Sequence, residues 1–211
     1  YVQSVRGISP FDAGILMLPG AIVMGIMSPI TGKLFDKYGA RMMAIIGLSI
    51  TIITTFYLSR LNMDSGYYYI MMLYTVRMFG ISMVMMPVMT NGLNQLPMVS
   101  NPHGTAMNNT LQQVSGAIGS AVLLTVMTKR MESSGESLFI EAQSKGTVPT
   151  GTEELSLFEH QLGLEAMLEG INYAFFVSTI VAFIALILTF FIKRVEPPKS
   201  DIGVESIEAK K

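Results

Sequence analysis

Five stretches of this chain are long and apolar enough to cross a bilayer, which takes about 20 residues of helix. Residues 13–32, 42–59, 104–128 and 170–192 carry no charged side chain, and 67–89 carries one, Arg77. Barrel strands are about 10 residues long and alternate apolar with polar positions, which these runs do not. The predicted fold is therefore all-α and integral to the membrane, a helical bundle with five transmembrane helices. Half of the 211 residues are hydrophobic and only 14% are charged, with a mean hydropathy of +0.48. Soluble domains carry roughly 25% charge.

Several classes of function fall away. The net charge is −1, so no strong field points to a nucleic-acid partner. With no Cys there is no disulfide scaffold, zinc–thiolate site, iron–sulfur cluster or cysteine nucleophile. His103 and His160 have no second His or carboxylate at metal spacing, so no metal site is expected. A membrane enzyme should cluster His, Asp or Glu near a span end, and none is seen beyond Asp36 amid bases. The chain opens on Tyr1, with Arg6 alone before the first apolar run and no signal-peptide pattern. The expectation is the C-terminal part of a longer membrane protein.

The domain reading is a five-span membrane portion over 1–193 and a polar tail over 194–211. Short connections join the first three spans, and 92–103, with Pro97 and Pro102, joins the third to the fourth. Residues 129–169 form a long polar connection with eight Glu and a net charge of −5. Thr150-x-x-Glu153 can act as a capping box opening a short helix through Glu169, with Leu155, Phe158, Leu162 and Leu168 on its apolar face. Placing 33–41 in the cytoplasm puts eight bases on that side and five on the other. That orientation sets 129–169 outside and the C-terminus inside.

The segment Gly32-Lys33-Leu34-Phe35-Asp36-Lys37-Tyr38-Gly39-Ala40-Arg41 is the most informative. Gly32 and Gly39 allow a tight reversal at positive φ. Asp36 stands among Lys33, Lys37 and Arg41. It is either a latch that pairs with a base or a helix N-terminus in one of two conformations, or an incidental acid in a topogenic loop.

This segment resembles the loop signature of the major facilitator superfamily, G-x-L-x-D-R/K-x-G-R/K-R/K. Gly32, Leu34, Asp36, Lys37, Gly39 and Arg41 fit it, and Ala40 stands where the family often has a base. Tyr1-Val-Gln, the run from Gly7 to Gly14 and Leu18-Pro-Gly20 look like the entry to a second-half span of drug–proton antiporters. The runs Met86–Pro97 and His103–Ala121 resemble the fourteen-span multidrug exporters of the lincomycin-resistance type. The resemblance implies the last five spans of fourteen, in the plasma membrane of a bacterium. It implies proton-driven export of hydrophobic or amphipathic drugs by alternating access. The partners are then the substrate, the bilayer and the preceding spans of the same protein, with a proton gradient as driving force and no cofactor. Export of a lipid or metabolite is the close competitor, and a non-transport membrane subunit the more distant one.

Further residues are candidates for the transport path. Arg77 lies about 15 Å into its span, and a charge at that depth must face a cavity or a partner. It reads as a path residue or as a structural partner of a carboxylate outside these spans. Asn108, Asn109, Gln112 and Gln113 form two i,i+4 pairs at the start of the fourth span. They are either a polar wall of the path or interhelical hydrogen-bonding groups. The small residues Ser115, Gly116, Gly119, Ser120 and Ala121 suggest close helix packing. Pro19, Gly20, Gly25, Pro29 and Pro87 suit a bend during transport or a static kink. Seven Met fall in the third span, with Met71, Met78 and Met85 on one face. They serve varied hydrophobic ligands or simply face lipid.

Overall fold

The computed structural model describes residues 1–149 and 151–192. Thr150 of the expected capping box and the expected tail over 194–211 lie outside them. The described residues form four α-helices, one 3-10 turn at Met98–Ser100 and no strand. The helices are α1 (Pro10–Leu58), α2 (Tyr67–Leu93), α3 (Asn101–Ser144) and α4 (Thr152–Thr189). All four are long and apolar enough to cross a membrane.

The first helix holds two of the five apolar runs. Ser9 starts it, accepting the Asp12 backbone N–H at 3.1 Å, with Pro10 in the first turn. Leu16 near its start packs with Leu58 at its end, and with Leu61 and Ile70. A straight helix would hold Leu16 and Leu58 about 63 Å apart, so the chain must double back. It does so at Gly39, where φ is +78° and ψ 166°. That backbone region is essentially closed to residues with a Cβ. We call the arms α1a (10–38) and α1b (40–58).

The expected loop over 33–41 is thus corrected. Gly32 stays helical, and Gly39 alone takes positive φ there. Residues 33–38 contain no helix breaker, so the helix runs on until the one residue that can leave it.

Glycines also set how closely the helices approach. A Cβ on Gly47 of α1b would lie 2.5 Å from the Gly80 carbonyl oxygen of α2. One on Gly80 would meet the Gly47 oxygen at 2.8 Å. The two backbones therefore touch, with no room for a side chain between them. Gly20 of α1a similarly admits the Tyr74 ring, which a Cβ would meet at 2.7 Å.

The long polar connection is corrected too. α3 continues for 16 residues past Thr128, about 24 Å of helix, before it ends at Ser144. Gly146 terminates it at φ +66°, with Thr147 N–H bonding to Ala142 O and Gly146 N–H to Gln143 O. That pair of bonds is the Schellman ending. α4 starts at Thr152, behind Gly151 as N-cap, and runs unbroken through Glu169 to Thr189. Polarity alone does not stop a helix; the Gly and Pro between 146 and 151 do. Leu155, Phe158, Leu162 and Leu168 are half-buried, and Ala166 is buried beside Gly135. Gly170 sits against the Met127 carbonyl, which a Cβ would meet at 2.7 Å.

Asn172 of α4 clamps the α1–α2 turn. Its side chain donates to Leu61 O at 2.8 Å and accepts from Leu61 N at 3.2 Å. Residues 111–122 of α3, by contrast, are exposed on every side. Gly116 and Gly119 have nothing of this chain within reach of a Cβ. The helix packing expected at 115–121 is not made within the described residues.

Candidate functional site

α1a packs on α2 where Leu16 meets Ile70 and Gly20 meets Tyr74 and Met78, whereas α3 meets α2 near its own start. Leu96 and Leu93 close on Gly104 there. Beyond that contact α3 diverges, and a cleft of about 440 Å³ opens between α1a, α2 and α3. Met24 and Ser28 line it from α1a, and Asn108, Leu111, Gln112 and Ser115 from α3. The wall from α2 is Ser82, Val84, Met85, Met86, Val88 and Met89. Its size lies in the range of drug-sized ligand sites. No ionisable side chain lines it among the described residues.

The four amides divide. Asn108 and Gln112 face the cleft, while Asn109 and Gln113 are exposed elsewhere on α3. One residue along a helix is a turn of about 100°, and here that step carries Asn109 and Gln113 off the face that holds Asn108 and Gln112. Of the heptad methionines, Met85 lines the cleft, and Met78 packs where Gly20 leaves room. Thioethers and uncharged amides together make a deformable apolar wall with a few hydrogen-bonding points. The sequence reading missed Met24, Ser28 and Ser82. Nothing local to α1a or α2 marks these positions, because the cleft exists only once α3 has diverged.

Arg77 belongs to a different space. It lines a second cleft, of about 450 Å³, with Tyr74, Ile70, Leu16, Leu61 and Phe175 and the residues around Tyr1. Its Nε is buried without a hydrogen-bond partner among the described residues. The structure thus separates Arg77 from the amide pair.

The basic segment lies at the other end of the bundle from Leu61. Lys33, Asp36 and Lys37 are exposed on the last turns of α1a, Gly32 is half-buried, and Gly39 is buried. Arg41 opens α1b, with its guanidinium 5.8 Å from the centre of the Phe190 ring just past α4. Lys37 lies over Tyr38 at 5.2 Å. The segment therefore touches both the α1 reversal and the end of α4.

Residues 1–120 match the signature of the Major Facilitator Superfamily. The chain belongs to that superfamily. Among the facilitators it is similar to, Lincomycin resistance protein LmrB of Listeria innocua is 42% identical, over 92% of this chain and 38% of its own length. The uncharacterized MFS-type transporter YhcA of Bacillus subtilis is 40% identical, over 94% of this chain and 41% of its own. More distant is the tetracenomycin C resistance and export protein of Streptomyces glaucescens, at 22% identity over 93% of this chain and 40% of its own. The chain spans about two-fifths of the length of these relatives. Its helices and its superfamily make it a multi-pass membrane protein of a transporter family.

Proposed function

We propose that the chain works as the C-terminal part of a longer, proton-driven drug exporter, and that the cleft between α1a, α2 and α3 binds the exported compound. The observation that carries this reading is the lining. Four methionines and two amides surround a charge-free space of drug-like volume, which suits hydrophobic or amphipathic molecules of varied shape. The resistance and export proteins among the relatives support the substrate class. Alternating access would rock this bundle against spans outside these 211 residues, around a site near the membrane midplane. Lys33, Asp36, Lys37 and Arg41, with Gly32 and Gly39, then form the cytoplasmic gate. Arg77 serves the second cleft, as a path residue or as the partner of a carboxylate from the remaining spans.

The amide pair provides the test. Replacing Asn108 and Gln112 together by Leu removes two hydrogen-bonding groups, each worth about 0.5–1.5 kcal/mol. In cells carrying the complete transporter, lincomycin resistance should fall roughly tenfold, since about 1.4 kcal/mol is a factor of ten. The same change at Asn109 and Gln113, which face elsewhere, should leave resistance within about twofold. Equal effects of the two pairs would remove the cleft from the transport path.

A further inference from the structure

A third cleft, of about 300 Å³, lies where α1b meets α4 at the Leu61 end. Three charged residues line it: Arg60, Arg130 and Glu169. Arg60 follows the apolar run 42–59, Arg130 stands two residues past the run 104–128, and Glu169 immediately precedes the run 170–192. The three charges therefore mark one boundary of the apolar layer. Phe56, Tyr173 and Phe176 complete the wall. Ile53 and Ile180, one turn deeper on the same helix faces, are exposed.

The polar groups are unevenly committed. The Asn172 amide is taken up on both atoms by the Leu61 backbone. Glu169 accepts from the Ser134 hydroxyl and from Arg130 Nη2 through one carboxylate oxygen, the latter at 3.2 Å. Arg130 gives Glu169 a single bond, out of five donors on the guanidinium. It also lies over Tyr173 at 5.7 Å. Arg60 lies over Phe56 at 4.8 Å, and among the described residues it has no carboxylate within ion-pair distance. The lining thus carries two cations and one anion, a surplus of one positive charge with free donors.

We infer that this cleft holds the phosphate of an anionic phospholipid, with the acyl chains running down the apolar faces of α1b and α4. The single surplus charge matches a phosphodiester. Guanidinium groups suit phosphate oxygens, and Lys or Arg near a bilayer surface attract anionic headgroups. A small free anion would satisfy the arginines and leave the aromatic and isoleucine faces below them uncovered. A lipid covers both.

The chain has no Trp, so Phe176→Trp places a single reporter in the cleft wall. The reporter chain is reconstituted in bilayers containing brominated phosphatidylglycerol or brominated phosphatidylcholine, and quenching gives the relative affinity. A preference for phosphatidylglycerol of about fivefold per arginine is expected, and Arg60→Gln with Arg130→Gln should bring it to about one. Glu169→Gln removes the competing carboxylate and should strengthen the preference. It decides the matter if the double variant loses its helical circular dichroism. Equal quenching by the two lipids would overturn the proposal, as would a preference that survives the double variant or a Glu169→Gln variant with no gain. Glycerol 3-phosphate shifting the reporter emission in lipid-free detergent, without any lipid preference in bilayers, would assign the cleft to a free anion and equally overturn it.

Discussion

A single methyl group added at Gly80 or Gly47 will force α1b and α2 apart. The obstacle is backbone, since Cβ atoms there would lie 2.8 and 2.5 Å from the opposing carbonyl oxygens. A flexible side chain could swing away, but a carbonyl inside a helix cannot. Overpacking costs about 1–3 kcal/mol, and these sites belong at the upper end. For a chain of this size, Gly80→Ala should lower the melting temperature in detergent by roughly 4–12 °C. Gly116→Ala is the internal contrast, because nothing of the chain lies within 4 Å of its Cβ. There the gain in helix propensity, about 1 kcal/mol, should appear as a small rise. Thermal unfolding followed by circular dichroism checks both. A Gly80→Ala variant as stable as the parent chain would mean that the helices do not cross at these glycines.

Asp36→Asn should abolish most efflux without reducing the amount of protein in the membrane. The carboxylate stands three residues before the Gly39 reversal, on an exposed turn beside Lys33 and Lys37. A latch made there would work through charge-assisted hydrogen bonds, worth about 1.5–3 kcal/mol each. Neutralising it should cost at least about tenfold in transport rate. Drug efflux and protein abundance, measured together in cells carrying the complete transporter, give the answer. Wild-type efflux in Asp36→Asn would make Asp36 a bystander in a topogenic segment.

The apolar runs were legible because burial in lipid needs a fixed length of uncharged helix, and all five fall on the four helices apart from Ser59 and residues 190–192 at two helix ends. The polar parts were harder. The charges of 129–169 read as a connection because they do not belong in lipid, yet the segment continues two helices beyond the apolar layer. Its true ends were written in Gly146, Pro149 and Gly151, where the backbone is punctuated. In the basic segment two glycines looked equivalent, and only the packing of Leu16 on Leu58 demands that one of them turn. The i,i+4 spacing identified two amide faces on α3. Which of them meets a cleft depends on where α2 lies, and no local pattern carries that. Gly47 and Gly80 escaped notice for the same reason, because their meaning is a contact between helices 33 residues apart in sequence. Asn172 escaped as a lone amide at the edge of an apolar run, although its pairing with the Leu61 backbone fixes α4 to the α1–α2 turn.

The central claim is that the cleft lined by Met24, Met85, Asn108 and Gln112 receives the transported compound. The chain contains no Cys, so Met85→Cys provides one thiol in that cleft, and Met72→Cys one on the exposed face of α2. Each variant of the 211-residue chain, reconstituted in liposomes, is reacted with a membrane-permeant maleimide with and without lincomycin. A bound ligand should slow the reaction at Met85→Cys by about tenfold at ten times its Kd, following simple occupancy. The reaction at Met72→Cys should be unchanged. Lincomycin leaving both rates alone, or slowing both equally, would contradict the assignment of the cleft.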